Sequence, residues 1–125
     1  MNTNTKDYRG RERRRFPRLR ASVVEYFLIG KTSPIKMSFT EDISPVGIRI
    51  FSQEDLENNT FLFLKIYLPH YKSPIEAKGR VVWSKESSFG DVKKRKNYDI
   101  GVEFIEIKTD DQQNISDYVD KYPGS

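Results

Sequence analysis

Phe61-Leu62-Phe63-Leu64-Lys65-Ile66-Tyr67-Leu68 alternates without a break: Leu62, Leu64, Ile66 and Leu68 fall on one side of an extended chain, and Phe61, Phe63, Lys65 and Tyr67 on the other. Successive side chains leave a pleated strand on opposite faces, so a period of two marks a β-strand with one buried and one mixed face. Working outward, Pro69-His70-Tyr71-Lys72-Ser73-Pro74 supplies an exit turn that keeps His70 at the surface. Two further extended segments come next, Ile75 to Ser84 and Asn97 to Ile107, separated by a Ser/Gly/Lys-rich loop from Lys85 to Lys96. Upstream, Ala21 to Leu28 is rich in β-branched and aromatic residues and stops at the turn-forming Gly30-Lys31-Thr32-Ser33-Pro34. Met37 to Ile43 and Gly47 to Ser52 complete the set. Six strands predict a mainly β fold, a six-stranded antiparallel β-barrel, because closure leaves no long edge unpaired.

The period changes once. Thr109 and Gln112 form a capping-box pattern, and Ile115, Tyr118, Val119 and Tyr122 recur at helical spacing before Pro123-Gly124. One amphipathic C-terminal α-helix over about residues 110–122 is expected to lie on an open barrel end or to meet a partner. No internal repeat is visible. The chain divides into a flexible basic N-terminal arm, residues 1–11, and a barrel domain with its helix, residues 12–122.

At 125 residues the chain is long enough for one modest core. With 36% hydrophobic and 32% charged residues it is polar enough to be soluble and apolar enough to fold. No run approaches the roughly 18 apolar residues of a membrane span, and the Arg-rich start lacks the apolar core of a signal peptide, so a cytoplasmic protein without membrane insertion is expected. The absence of cysteine excludes disulfides and thiolate metal sites, and a single histidine leaves little for zinc. Plentiful carboxylates without a recognisable base, nucleophile or metal set read as surface, so no enzyme is expected.

The net charge of +4 suits nucleic acid until it is divided. Residues 1–20 hold eight Lys/Arg against Asp7 and Glu12, or +6; the remaining 14 basic and 16 acidic side chains leave −2. The basicity sits in one arm, which is not the charge distribution of a fold that tracks a polyanion over its whole face.

Two short segments carry recognisable chemistry. Arg13-Arg14-Arg15-Phe16-Pro17-Arg18 contains Arg-x-x-x-Arg at Arg14 and Arg18, and Asp42-Ile43-Ser44-Pro45-Val46-Gly47 reads Asp-x-Ser-x-x-Gly. Arginine presents a flat fork of donors to phosphate oxygens or the O6/N7 edge of guanine, Asp accepts from ring N–H groups, and a Ser hydroxyl does either. That inventory suits an anionic guanine nucleotide. Ser44, Pro45 and Gly47 occupy the first, second and fourth positions that a type I turn favours, so the second segment caps a β-hairpin at a sheet end.

In this order, and with Val82-Trp83 and Asp99-Ile100-Gly101-Val102-Glu103-Phe104 downstream, the two segments resemble the PilZ domain, the bacterial receptor module for cyclic di-GMP. The resemblance covers roughly Arg11 to Tyr122. It implies that Arg14 and Arg18 take the phosphates and guanine Hoogsteen edges, that Asp42 and Ser44 address guanine N–H groups and nearby phosphate, and that Gly47 permits the tight hairpin. In that family an arginine at the position of Arg13 is associated with capture of a stacked ligand dimer, which makes Arg13 a further contact. Trp83, at a strand end, reads as core or rim packing within reach of a stacking purine; Lys93-Lys94-Arg95-Lys96 reads as a solvated loop. The implied protein is a stand-alone receptor that passes its signal to a downstream protein effector, takes cyclic di-GMP as ligand without a cofactor, and leaves homo-oligomer formation open. The rival reading is a small β-barrel nucleic-acid-binding protein using its basic arm.

Overall fold

The alternating segment from Phe61 is an interior strand of the sheet, paired on both sides. A computed structural model describes residues 22–40, 42–87 and 96–121 of the chain; the arm, Arg13, Arg14, Arg18 and the loop residues Lys93, Lys94 and Arg95 lie outside them. The described residues form seven strands, β1 (Ser22–Leu28), β2 (Lys36–Thr40), β3 (Ile43–Ser44), β4 (Gly47–Ser52), β5 (Phe61–Tyr67), β6 (Ile75–Glu86) and β7 (Tyr98–Ile107), then the helix α1 (Thr109–Lys121). All pairings are antiparallel, in the order β2-β1-β5-β6-β7-β4-β3.

The two ends of this sheet curl toward each other. Phe51 N–H donates to Ser38 Oγ at 3.0 Å, Lys36 Nζ reaches Glu54 Oε1 at 2.6 Å, and the rings of Phe39 and Phe51 lie 5.6 Å apart. Side chains therefore bridge β2 to β4 where no backbone ladder does, and the barrel is nearly closed. Inside it, the inward residues of the alternation, Leu62, Leu64 and Ile66, are fully buried with Val24, Ile50 and Val81. Helix α1 adds Ile115 and Tyr118 to that core, while Tyr71 donates its hydroxyl to the Asn114 carbonyl at 3.3 Å. The helix thus covers a barrel end through the apolar face that its spacing marked out.

Seven strands replace the expected six because the segment from Met37 to Ile43 is broken in the middle. Thr40 Oγ1 accepts from Asp42 N–H at 2.9 Å and donates to Asp42 O at 3.0 Å. A hydroxyl that captures the backbone two residues on offers the chain a turn in place of a ladder. The residues before this turn, β2, pair with β1, and those after it, β3, pair with β4.

Candidate functional site

The hairpin β3–β4 has Pro45 and Val46 at its tip, with Ser44 paired to Gly47 and Ile43 to Ile48. Ser44 Oγ accepts from the N–H groups of Val46 and Gly47, both at 3.2 Å, so the hydroxyl of the Asp-x-Ser-x-x-Gly segment first of all holds its own turn. Its O–H in turn makes a long contact, donating to Gly47 O at 3.4 Å. The tip is also fastened from outside. Val46 O accepts from Phe104 N–H on β7 at 2.9 Å, and Pro45 O accepts from Gln112 Nε2 on α1 at 3.0 Å. Gln112, expected to complete a cap with Thr109, instead ties the helix to the hairpin.

The glycine has a different reason from the expected one. A Cβ at Gly47 would lie 2.6 Å from Val102 O on β7, so the residue is small because a neighbouring backbone passes close by. The turn itself asks nothing special of it, since the positive φ values among the described residues belong to Gly30, Asn59 and His70.

Asp42 leaves the hairpin's entry with its side chain 59% exposed, and Arg49 Nη2 on β4 meets its Oδ2 at 2.6 Å. Arg49 Nη1 is 4.0 Å from Oδ2 of Asp99 on β7, and its guanidinium carbon stands 5.5 Å from the centre of the Phe51 ring. One cation therefore serves two carboxylates. Asp99 Oδ1 and Arg49 Nε are buried without a hydrogen-bond partner among the described residues, which leaves acceptor and donor capacity in this row unused. Arg49 was not singled out by sequence, because its meeting with Asp42 comes from the hairpin's return path.

Trp83 reaches the same place through a fault in the sheet. Strict alternation along β6 would send it inward after Ala77, Gly79 and Val81. The pairing slips between Val81 and Trp83, which oppose Val102 and Gly101, so Val82 is an extra residue and Trp83 is turned to the outer face. A β-bulge re-aims side chains in this way. There the indole lies across Gly101, where any Cβ would run into its ring, and it remains 40% exposed. On the other side of Gly101 its register partner is Arg49.

Asp42, Ser44, Gly47, Arg49, Trp83 and Gly101 all line one open cavity of about 390 Å³. A larger one of about 630 Å³, between Phe63, Lys78, Phe104 and Gln112, contains none of the motif residues, and its Lys78 is paired with Glu106 at 3.4 Å. The smaller cavity combines a carboxylate, a hydroxyl, a guanidinium and an aromatic face on strands that hold them still. Such a set has the chemistry to hold a flat, polar, donor-rich ring. The described residues include no cluster of three or more His, Cys, Asp or Glu that could hold a metal ion, and no helix among them is long and apolar enough to cross a membrane.

A family model described as the PilZ domain matches residues 12–121. The chain belongs to the PilZ family. Its motif hairpin is β3–β4, so the PilZ domain presents Asp42 and Ser44 on the barrel's outer surface beside β7. Among solved structures, K. pneumonia MrkH matches with a TM-score of 0.65 at 19% identity, over 85% of this chain and 48% of that one. Bacillus subtilis MotI/DgrA, described as an inhibitor of motility, matches with a TM-score of 0.59 at 22% identity, over 85% of this chain and 51% of that one. A second MrkH structure, described as a c-di-GMP-dependent transcription regulatory factor, gives 0.62 at 18% identity, over 80% and 45%. These likenesses establish the shared fold, and the PilZ chain spans about half the length of the solved chains it matches. Comparison with curated proteins gives no match.

Proposed function

We propose that this PilZ domain is a non-catalytic cyclic di-GMP receptor. The observation that carries the reading is the cavity beside the hairpin, where the Asp42 carboxylate, the Ser44 hydroxyl and the exposed face of Trp83 converge. Asp42 would accept from a guanine edge, Ser44 would donate to guanine or phosphate, and the indole would stack on a purine. Arg49 offsets the carboxylate's charge, so that a ligand with two phosphates is less repelled by Asp42 and Asp99. Arg14 and Arg18, with Arg13 beside them, supply the phosphate and Hoogsteen contacts that the barrel lacks.

Cyclic di-GMP is expected to raise the melting temperature, whereas GMP, cyclic AMP and a random single-stranded oligonucleotide leave it in place. Ligand at one hundred times its dissociation constant stabilises the native state by about 2.7 kcal/mol. A melting curve unmoved at saturation would remove the receptor reading.

The proposed mechanism is closure of the arm onto the hairpin. With +6 in its first twenty residues and −2 elsewhere, the chain gives its arginines too few acidic neighbours until phosphate arrives. The new surface made by arm, ligand and hairpin is what a downstream protein effector would meet. Hydrogen exchange is expected to show protection rising from about Arg9 to Arg18 and across Asp42 to Gly47 when ligand is added. An arm equally protected, or equally open, in both states would reject closure while leaving binding intact.

A further inference from the structure

The outer face of β2, β1 and β5 is apolar where a solvated sheet should be polar. Cross-strand register arranges it in rows: Phe39, Val23 and Tyr67; then Met37, Glu25 and Lys65; then Phe27 and Phe63, whose rings stack 5.3 Å apart; and last Ile29 with Phe61. Met37 and Phe39 are 66% and 54% exposed, and Val23, Phe61 and Tyr67 are exposed too. Soluble monomers rarely leave a contiguous apolar patch beyond a few hundred Å² without a use for it.

We infer that this face is the contact surface between two copies of this chain, related by a two-fold axis running along the strands between β1 and β5. Such an axis exchanges the two strands and turns each row onto itself. Val23 then meets Tyr67 of the second copy, Phe27 meets Phe63, and Ile29 meets Phe61. In the one charged row Glu25 meets Lys65 of the second copy, and the reverse contact forms by symmetry. An isologous contact requires a patch complementary to itself, and one acid beside one base between apolar rows has that property. Both charges have capacity to spare. Glu25 accepts from the Tyr67 hydroxyl through Oε1 at 2.8 Å, leaving Oε2, while the ion pair Lys65 makes among the described residues is a long one, to Glu76 at 3.9 Å. That hydrogen bond first, then desolvation and the charges of Glu25 and Glu76, pushes the Tyr67 phenol above its usual pKa.

The occupant is a second copy and not the chain's own basic arm, because a face with one acid and one base has no net charge to hold it. The paired rows and the cavity also use different residues: the cavity is lined from the hairpin β3–β4 and its entry at Asp42, from Val82 and Trp83 of β6 and from Gly101 and Val102 of β7, none of which lies in a row that the axis turns onto itself.

Sedimentation over a wide range of concentration tests this without ligand, and so independently of the receptor reading. The parent is expected to move from 14.7 kDa to twice that mass as concentration rises. Glu25→Lys and Lys65→Glu should each weaken self-association at least about tenfold, since each sets like charges face to face across the axis. Mixed in equal amounts, the two variants should pair again as a 1:1 heterodimer, which no loss of folding could imitate. A parent that stays monomeric throughout would overturn the inference and give the face to a different protein. Single variants that dimerise like the parent, or monomeric ones that fail to pair on mixing, would equally overturn it.

Discussion

Asp42→Ala is expected to weaken cyclic di-GMP binding by about 2–5 kcal/mol, roughly 30-fold to several thousand-fold in Kd, because it leaves guanine donors unpaired inside the complex. Fold stability should hardly change. The pair lost in the free protein, Asp42 with Arg49, involves side chains 59% and 33% exposed, and such pairs contribute about 0–1 kcal/mol. Arg18→Ala should cost a similar amount of affinity by removing a fork from the phosphates, and Lys94→Ala should cost little. Arg49→Met is expected to weaken binding in the parent and to add little to Asp42→Ala, since the guanidinium acts through that carboxylate; a double-mutant cycle measures the coupling. In the same calorimetric titrations Arg13→Leu should lower the ligand ratio from about two per protomer towards one, as the family resemblance implies for that position. Parent-like affinity in both Asp42→Ala and Arg18→Ala would mean the site has been placed wrongly.

The second large effect is expected at the far side of the hairpin. Tyr118 is 1% exposed, packed edge-on against Tyr71 with ring centres 6.5 Å apart, and removing a buried aromatic ring costs about 3–5 kcal/mol. Tyr118→Ala should therefore move the urea midpoint far down with an unchanged slope. It should also reach the site, because α1 is the element whose Gln112 holds the Pro45 carbonyl. Loss of less than about 1 kcal/mol would show that the helix is not seated in the core.

What could be read from sequence was whatever depends on local order. The period of two named β5 to within a residue, and Gly47 to Ser52 was bounded as found, because strong alternation and turn residues act through the chain's immediate neighbours. The break after Thr40 was hidden, since nothing in a run of strand-forming residues announces that one hydroxyl will capture a backbone N–H two places on. Trp83 was placed at a strand end with its direction open; the bulge that turns it outward exists only in the pairing of β6 with β7. Arg49 and Asp99 were missed for the same reason. They meet across the hairpin and the register, and no spacing along the chain brings them together. Gly47 was explained by its own turn, whereas the Val102 carbonyl passing close by is what leaves no room for a side chain there.

The seat of Trp83 on Gly101 has an optical consequence. The chain contains a single tryptophan, so all of its indole emission leaves from the lining of the cavity that Asp42 and Ser44 share. With the ring 40% open to water, its emission colour and intensity follow the polarity at that one spot, and a guanine laid against it would quench it by electron transfer. On the proposed reading the protein would be a label-free fluorescent reporter of its own site, and titration with cyclic di-GMP is expected to change the tryptophan emission without an attached dye.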